Sequence, residues 1–333
     1  MNVTLKHVAE KAGVSRSAVS RAFTPGASVS AATRERVMRA AEELGYSPSI
    51  LASGLSTGRT KLVGLVSNNF RNPFYLEVFD RFTRALQARG LRPLLVNLSD
   101  ETEPQNWAQM LRQYSVDGVV VASSTLPPDF STAFADAGMP VVHAFARHLR
   151  RPDVNTVGVD NVEVGRLAAR TLLARGYRRV AFLGGPETAT STIDRCRGFA
   201  ETVAALGAGA AQVHFSGNYS FDAGYAAMAQ LLAAGPPAQA YFCGDDVVSI
   251  GAMSALKDRG FDVPGDVGIL GVNDMEQARW QNIRLTTVHQ PVEAIVEAVI
   301  SRLARLMEHP DDPPRAICLE AHVVERDTLR SPD

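Results

Sequence analysis

Two arginines and two serines near the start of the chain lie at a spacing that places them on one face of a helix. They are Arg16, Ser17, Ser20 and Arg21. The apolar residues of the same segment fall on the opposite face, which leaves the polar face free to contact another molecule. An arginine can donate two hydrogen bonds to one guanine base, and Arg21 is the residue that we expect to do so.

Three helices are predicted around this face. The segment from Thr4 to Ala12 has helical apolar spacing and ends at Gly13, and Ser15 is a typical N-cap for the second helix. A third helix is predicted from about Ser30 to Leu44. Together they predict a helix-turn-helix unit, whose second helix enters the major groove of DNA. The alternative is an ordinary three-helix bundle whose arginines are only solvated.

The charge distribution separates this head from the rest of the chain. Residues 1 to 60 contain eight basic and four acidic residues, whereas the remainder carries a net charge of -5. A basic head on an acidic body indicates a nucleic-acid-binding module joined to a part with another task.

Composition excludes several classes of protein. The chain has 333 residues, of which 46% are hydrophobic and 21% charged, as in globular proteins of two or three domains. No apolar run approaches the roughly 20 residues that cross a bilayer, and the charged N-terminus does not resemble a signal peptide, so we expect a cytoplasmic protein. Three widely spaced cysteines, Cys196, Cys243 and Cys318, predict buried, reduced thiols.

A short segment after the head has the composition of a conditional helix. Ser47 can cap a helix that begins at Pro48, but the helix is short and contains Gly54, so it should form only when another molecule holds it. Leu55 would be exposed on a monomer, and we expect it either to pack on a partner or to insert between DNA base steps. A flexible linker is the alternative.

The body alternates short Val/Leu/Ile runs with amphipathic segments, which is typical of parallel α/β proteins. This pattern is compatible with a closed barrel and with two open sheets. In open sheets ligands bind beyond the carboxyl ends of the strands, and aromatic and polar residues follow the predicted strands here. Such a mixture suits a sugar, because aromatic faces contact its C–H groups while polar side chains bond its hydroxyls. No phosphate-loop, nucleophile-elbow, dinucleotide or zinc-protease motif is present, so neither an enzyme nor a cofactor is expected.

The sequence resembles the LacI/GalR family of bacterial transcription regulators. The resemblance begins with TLKHVAEKAGVSRSAVSRAF, AATRERVMRAAEELGYSPS and LSTGRT in the head. It continues through GLVSNNFRNPFY, DGVVVAS, VGVDN, DRCRGF, FCGDD and LTTVHQP, so it covers essentially the whole chain.

The resemblance implies a helix-turn-helix head and a core of two doubly wound parallel-sheet lobes, like a type I periplasmic binding protein. The head would span residues 1–46, the hinge 47–60 and the core 61–333. One lobe would comprise about 61–160 with 291–322 and the other about 161–290. The crossovers would lie near Gly158 to Asn161, near Thr287 to Pro291, and in a C-terminal strand around Val323.

The resemblance also implies the effector site. The matching positions are Phe74, Arg195, Tyr219, Asp245 and Asn273. Each of these residues also has a purely structural interpretation. The two aromatic residues can be core residues, Asp245 and Asn273 can cap helices, and Arg195 can pair with a neighbouring carboxylate. Many relatives carry aspartate where this chain has Asn273, and Ser53-Gly54 replaces an arginine-containing pair before the hinge leucine.

The function expected from these features is that of a homodimeric repressor of transcription. Its heads would bind a near-palindromic operator, and its cleft would respond to a small molecule, most simply a sugar. The competing interpretations are a stand-alone solute-binding protein, which the basic head disfavours, and an α/β enzyme, which the absent catalytic motifs disfavour.

Overall fold

The computed structural model describes residues 3–24, 26–47, 59–98 and 103–331. The chain divides into two compact units, with the division between Lys61 and Leu62. The predicted hinge helix, including Leu55, lies outside the described residues.

The first unit contains the three predicted helices, α1 (Leu5–Ala12), α2 (Arg16–Phe23) and α3 (Ala31–Leu44). Ser15 caps α2 by accepting a hydrogen bond from the Ala18 amide at 3.2 Å, as predicted. Gly13 ends α1 in the left-handed conformation, with a φ of 64°, which glycine adopts without the steric cost of a Cβ. Val8, Val19 and Val37, one from each helix, are fully buried at the centre. These observations confirm the predicted helices.

The second unit contains two separate open sheets of six strands each, so the barrel alternative is wrong. The first sheet has the order β11-β5-β4-β3-β1-β2, and all its pairings are parallel. Its strands are β1 (Leu62–Ser67), β2 (Arg92–Asn97), β3 (Gly118–Ala122), β4 (Val141–Ala144), β5 (Asn155–Val159) and β11 (Ala316–Leu319). Its helices are α4 (Pro73–Ala88), α5 (Pro104–Gln113), α6 (Thr132–Asp136) and α11 (Val292–Glu308). We call this part of the chain lobe 1.

Lobe 2 has the sheet order β12-β10-β9-β8-β6-β7. Its strands are β6 (Val180–Gly184), β7 (Gln212–Phe215), β8 (Ala240–Cys243), β9 (Gly268–Asn273), β10 (Thr287–His289) and β12 (His322–Val324). Its helices are α7 (Asn161–Ala174), α8 (Thr190–Ala205), α9 (Phe221–Ala234) and α10 (Asp246–Asp258). Only β12 runs antiparallel, against β10, and it makes the sheet a mixed one.

The chain passes between the lobes three times. The passages follow β5 at Asp160, β10 at Gln290-Pro291 and β11 at Glu320-Ala321. The third differs from the prediction, because Val323 and His322 already belong to the lobe 2 sheet. Residues 320 and 321 therefore make the passage, and the lobe 1 segment ends earlier than 322.

Candidate functional site

The exposed face of α2 carries the four residues predicted to contact DNA. Arg16, Ser17, Ser20 and Arg21 are all exposed, whereas Val19 and Ala22 on the opposite face are buried. The structure therefore presents one polar face on the second helix of the unit.

A residue that sequence reasoning missed holds α2 in position. Arg34 of α3 donates one hydrogen bond to the carbonyl oxygen of Ala22, at the end of α2. It donates a second, at 3.2 Å, to the carbonyl oxygen of Ala27 in the following loop. Because one guanidinium satisfies both carbonyls, α2 and its connection to α3 are fixed relative to each other.

Asp245 lies where the two lobes meet, two residues after the end of β8. One carboxylate oxygen accepts the Val247 amide at 2.8 Å and so caps α10. The other oxygen accepts the side-chain amides of Asn273 in lobe 2 and Asn72 in lobe 1, each at 2.9 Å. Burial raises the pKa of Asp245, while these hydrogen bonds oppose the rise. The carboxylate is thus both a helix cap and a contact between the lobes.

Arg195 is buried within lobe 2 and points towards the same region. Its Nε donates to the Asn161 side-chain oxygen at 2.8 Å, and its Nη1 donates to the Gly244 carbonyl at 2.6 Å. The alternative that it pairs with a carboxylate is not supported, since its described partners are an amide and a backbone carbonyl. Because Gly244 immediately precedes Asp245, this bond holds the Arg195 guanidinium close to the backbone at Asp245.

The two predicted aromatic residues belong to different lobes. Phe74 of lobe 1 packs edge-on against Phe145, with ring centroids 5.7 Å apart. The hydroxyl of Tyr219 in lobe 2 lies 2.7 Å from that of Thr192 and 3.1 Å from that of Ser191. Both aromatic residues also belong to one buried apolar cluster, as their structural alternative predicted.

The space between the lobes measures about 600 Å³ at this edge. Residues from both lobes border it, including Asn68, Asn69, Arg71, Asn72, Asn97, Thr125, Thr188, Asn218 and Tyr219. Of the five predicted effector residues, Tyr219 lines this space, whereas the other four lie among the buried contacts beside it. Sequence reasoning pointed to part of this wall, because residues 68–75 follow β1 at a strand end, whereas Asn97 and Asn218 were not singled out.

Further contacts join the lobes at the beginning of α8. The Ser191 amide and the Thr190 hydroxyl both donate to the Ser124 carbonyl, each at 3.3 Å. Arg147 of lobe 1 forms a two-bond ion pair with Asp194 of α8, with N···O distances of 2.7 and 2.8 Å. None of these contacts was predicted from the sequence.

Two more aspartates lie beside the second passage. Asp246 is fully buried and accepts the Thr287 hydroxyl at 2.5 Å and the Met275 amide at 2.9 Å. Burial raises its pKa to about 7. Burial also pushes the pKa of Asp274 upwards, but hydrogen bonds from His289 and Arg326 outweigh that effect and lower it to about 2. The two neighbouring carboxyls thus differ widely in proton affinity.

The cleft therefore offers hydrogen-bond donors, acceptors and aromatic faces, which are the groups that line small-molecule sites in proteins. Within the described ranges, no three His, Cys, Asp or Glu side chains are grouped so as to hold a metal ion. In the same ranges no helix is both long and apolar enough to span a membrane.

Comparison with known proteins decides the family. The model of bacterial regulatory proteins of the lacI family matches residues 4–49, and that of a periplasmic binding protein-like domain matches residues 169–329. The HTH-type transcriptional regulator CelR of Thermobifida fusca is 33% identical over 333 residues, covering 98% of each chain. The chain belongs to the lacI family.

Solved structures agree with this assignment. The structure described as the transcriptional regulator CelR–cellobiose complex is 32% identical, covers 98% of this chain and 100% of its own, and has a TM-score of 0.73. The lac repressor dimer bound to operator and an anti-inducer is 24% identical, covers 99% of this chain and 100% of its own, and has a TM-score of 0.89, which establishes the common fold. As a lacI-family member with its helix-turn-helix head, the chain is a DNA-binding transcriptional regulator and not an enzyme.

Proposed function

We propose that the protein is a homodimeric repressor that acts in the cytoplasm. Two heads would bind the half-sites of a near-palindromic operator, with Arg16, Ser17, Ser20 and Arg21 in the major groove. The exposed polar face of α2 is the observation that carries this part of the proposal. Two heads held in a dimer bind more tightly than one, because the second contact is intramolecular.

The hinge would complete the DNA contact. We propose that residues 47–60 connect head and core, and that Leu55 of each subunit enters the minor groove at the centre of the operator. A wedge of this kind unstacks one base step and bends the duplex.

The effector site is proposed to be the cleft between the lobes. Phe74 and Tyr219 would contact the faces of a sugar ring, while Arg195, Asp245 and Asn273 would bond its hydroxyls. Two observations support this site: the polar side chains converge there from both lobes, and the space of about 600 Å³ is within the range of small-molecule sites. The cellobiose named for the CelR complex makes an oligosaccharide the first candidate.

A thermal-shift screen of the full chain against cellobiose, other sugars and nucleobases tests the effector proposal. A ligand at 100 times its dissociation constant should stabilise the protein by about 2.7 kcal/mol. Operator fragments are selected from a random pool of DNA with the purified protein. The affinity of the protein for these fragments is then titrated with and without the ligand that the screen identifies. A hit that stabilises the protein but leaves operator affinity unchanged would contradict the proposed regulatory role.

A further inference from the structure

The Arg147–Asp194 ion pair is unusual among the charged pairs of the core because it joins the two lobes. Arg147 follows β4 of lobe 1, and Asp194 lies in the first turns of α8 in lobe 2. The aspartate side chain is 6% exposed and the arginine side chain 31% exposed. A partly buried, two-bond pair of this kind is stronger and more directional than an exposed one.

Asp194 has a second arginine within reach, on its own helix. Arg197 lies three residues further along α8, and its Nη2 is 3.4 Å from the same carboxylate oxygen that accepts the Arg147 Nη2. Arg147 must leave Asp194 when the lobes separate, whereas Arg197 moves with it. The carboxylate therefore keeps a cationic partner in either arrangement.

We propose that Asp194 exchanges Arg147 for Arg197 as the lobes open, and that this exchange sets the balance between closed and open cleft when no ligand is bound. Arg147 stabilises only the closed arrangement. Arg197 contributes most to the open one, because without it the separated Asp194 would lose every charged partner that the structure gives it. Two arginines on one carboxylate thus shift the same equilibrium in opposite directions.

The exchange is a regulatory device of the proposed effector cleft and rests on that function. It changes how much ligand is needed rather than which ligand is recognised. A cleft that is closed only part of the time binds a closure-specific ligand more weakly, in proportion to the closed fraction.

The Ser191 amide reports opening directly. It belongs to the first turn of α8, where amides have no partner within the helix, and its acceptor is the Ser124 carbonyl of lobe 1. When the lobes separate, this amide is exposed to water and its hydrogen exchanges. The Phe182 amide, in the buried strand β6, serves as the control for global unfolding.

The experiment compares residue-resolved hydrogen exchange in the full chain, without ligand or DNA, for four variants. Arg147→Ala should speed exchange at Ser191 about tenfold or more, since hydrogen bonds to charged groups contribute about 1.5–3 kcal/mol. Arg147→Lys should give an intermediate rate. Arg197→Ala should slow exchange about two- to fivefold. Arg166→Ala, which removes exposed pairs with Glu163 and with Glu201 of α8, both within lobe 2, should change nothing.

Two results would overturn the proposal. If Arg147→Ala leaves the exchange rate of the Ser191 amide unchanged, or raises that of the Phe182 amide equally, the ion pair does not control lobe opening. If Arg197→Ala matches wild type or speeds exchange, the two arginines do not act in opposition. Because no ligand is used, failure here leaves the effector proposal standing, and a failed effector screen leaves this result standing.

Discussion

At the scale of single residues, Asp245 and Arg195 already have hydrogen-bond partners within the protein. Asp245 accepts from Asn72 and Asn273, and Arg195 donates to Asn161 and the Gly244 carbonyl. A ligand that bonds to Asp245 or Arg195 would therefore have to replace these hydrogen bonds rather than occupy vacant positions. Since an unpaired buried polar group costs about 1–3 kcal/mol, only a ligand whose hydroxyls match this pattern gains affinity.

Replacing Arg21 with alanine should weaken binding to the preferred operator by about 1–3 kcal/mol and relax base preference at one position in each half-site. The reason is the loss of two hydrogen bonds to one guanine. Fluorescence anisotropy with a panel of operator variants measures both effects, and Arg39→Ala, on the exposed side of α3, is the control. Equal weakening on every sequence would mean that Arg21 contacts only phosphate.

The Asp246 carboxyl should make stability fall as the pH rises from about 4 to 7. Its pKa is about 7 in the folded protein and near the ordinary 3.8 when unfolded, so the folded state holds the extra proton in that interval. Asp246→Asn imitates the protonated form. Above pH 7 the variant should be more stable than wild type by up to about 4 kcal/mol, and below pH 4 the two should agree.

Urea unfolding of both proteins across this pH range tests the prediction, with Asp311→Asn at an exposed loop position as the control. A variant that is less stable than wild type at every pH would show that the carboxylate itself is required by Thr287 and Met275.

At the scale of secondary-structure elements, the closest packing of lobe 2 holds Arg195 in place. Helices α7 and α8 cross at two glycines. A Cβ on Gly165 would lie 2.2 Å from the Arg195 carbonyl oxygen, and one on Gly198 would lie 2.0 Å from the Val162 carbonyl oxygen. Because backbone occupies both positions, the helices can approach this closely only without side chains there.

Gly198→Ala should therefore destabilise the core by about 1–3 kcal/mol or more, since the added methyl must displace α7. It should also weaken effector binding, because Arg195 is one turn away on the same helix. Gly235→Ala is the matched control, as nothing lies within 4 Å of the place that its added methyl would take. Equal melting temperatures for the two variants would contradict the close helix contact.

Local sequence patterns predicted most of the elements, whereas only the family resemblance predicted their assembly into two lobes. The Val/Leu/Ile runs predicted β1–β4 and β6–β9, because each strand is long and apolar enough to stand out. Strands such as β10 and β12, of three residues each, have no comparable pattern. Local patterns also did not distinguish a closed barrel from two open sheets. That choice depends on which distant strands pair with one another.

The candidate site divides in the same way. Strand ends and family motifs pointed to Asp245 and Asn273, and Asn72 also lies at a predicted strand end. Nothing in the sequence pairs Asn72 with Asp245, however, because the two are 173 positions apart. The Arg147–Asp194 pair likewise depends on how two lobes meet, for which a single sequence carries no local signal.

At the scale of the whole molecule, DNA contact and effector contact belong to different units of the chain. The proposed DNA residues of α2 lie in the first unit, and the proposed effector residues lie in the second. A ligand can change operator affinity only if it binds two arrangements of the second unit with different affinity. A ligand that contacts residues of both lobes would bind the closed arrangement more tightly than the open one.

Arg195→Ala should abolish the effector response while leaving effector-free operator binding within about twofold of wild type. The change removes bonds inside the cleft and none in the head. Two titrations of the same variant measure this, one with operator alone and one with the ligand found by the thermal-shift screen. Ligand affinity equal to wild type would remove Arg195 from the effector site, and an unfolded variant would show that the residue is structural.

The three passages between the lobes also determine the order in which the protein can be completed on the ribosome. Strands β6 to β10 of lobe 2 are contiguous in the chain, from Val180 to His289. Lobe 1 begins earlier, yet it needs α11, which packs on β3, β4 and β5, and the edge strand β11. The nascent lobe 1 therefore keeps an uncovered sheet face until α11 and β11 have been synthesised, and a chain cut short before Val292 would expose the lobe that was synthesised first.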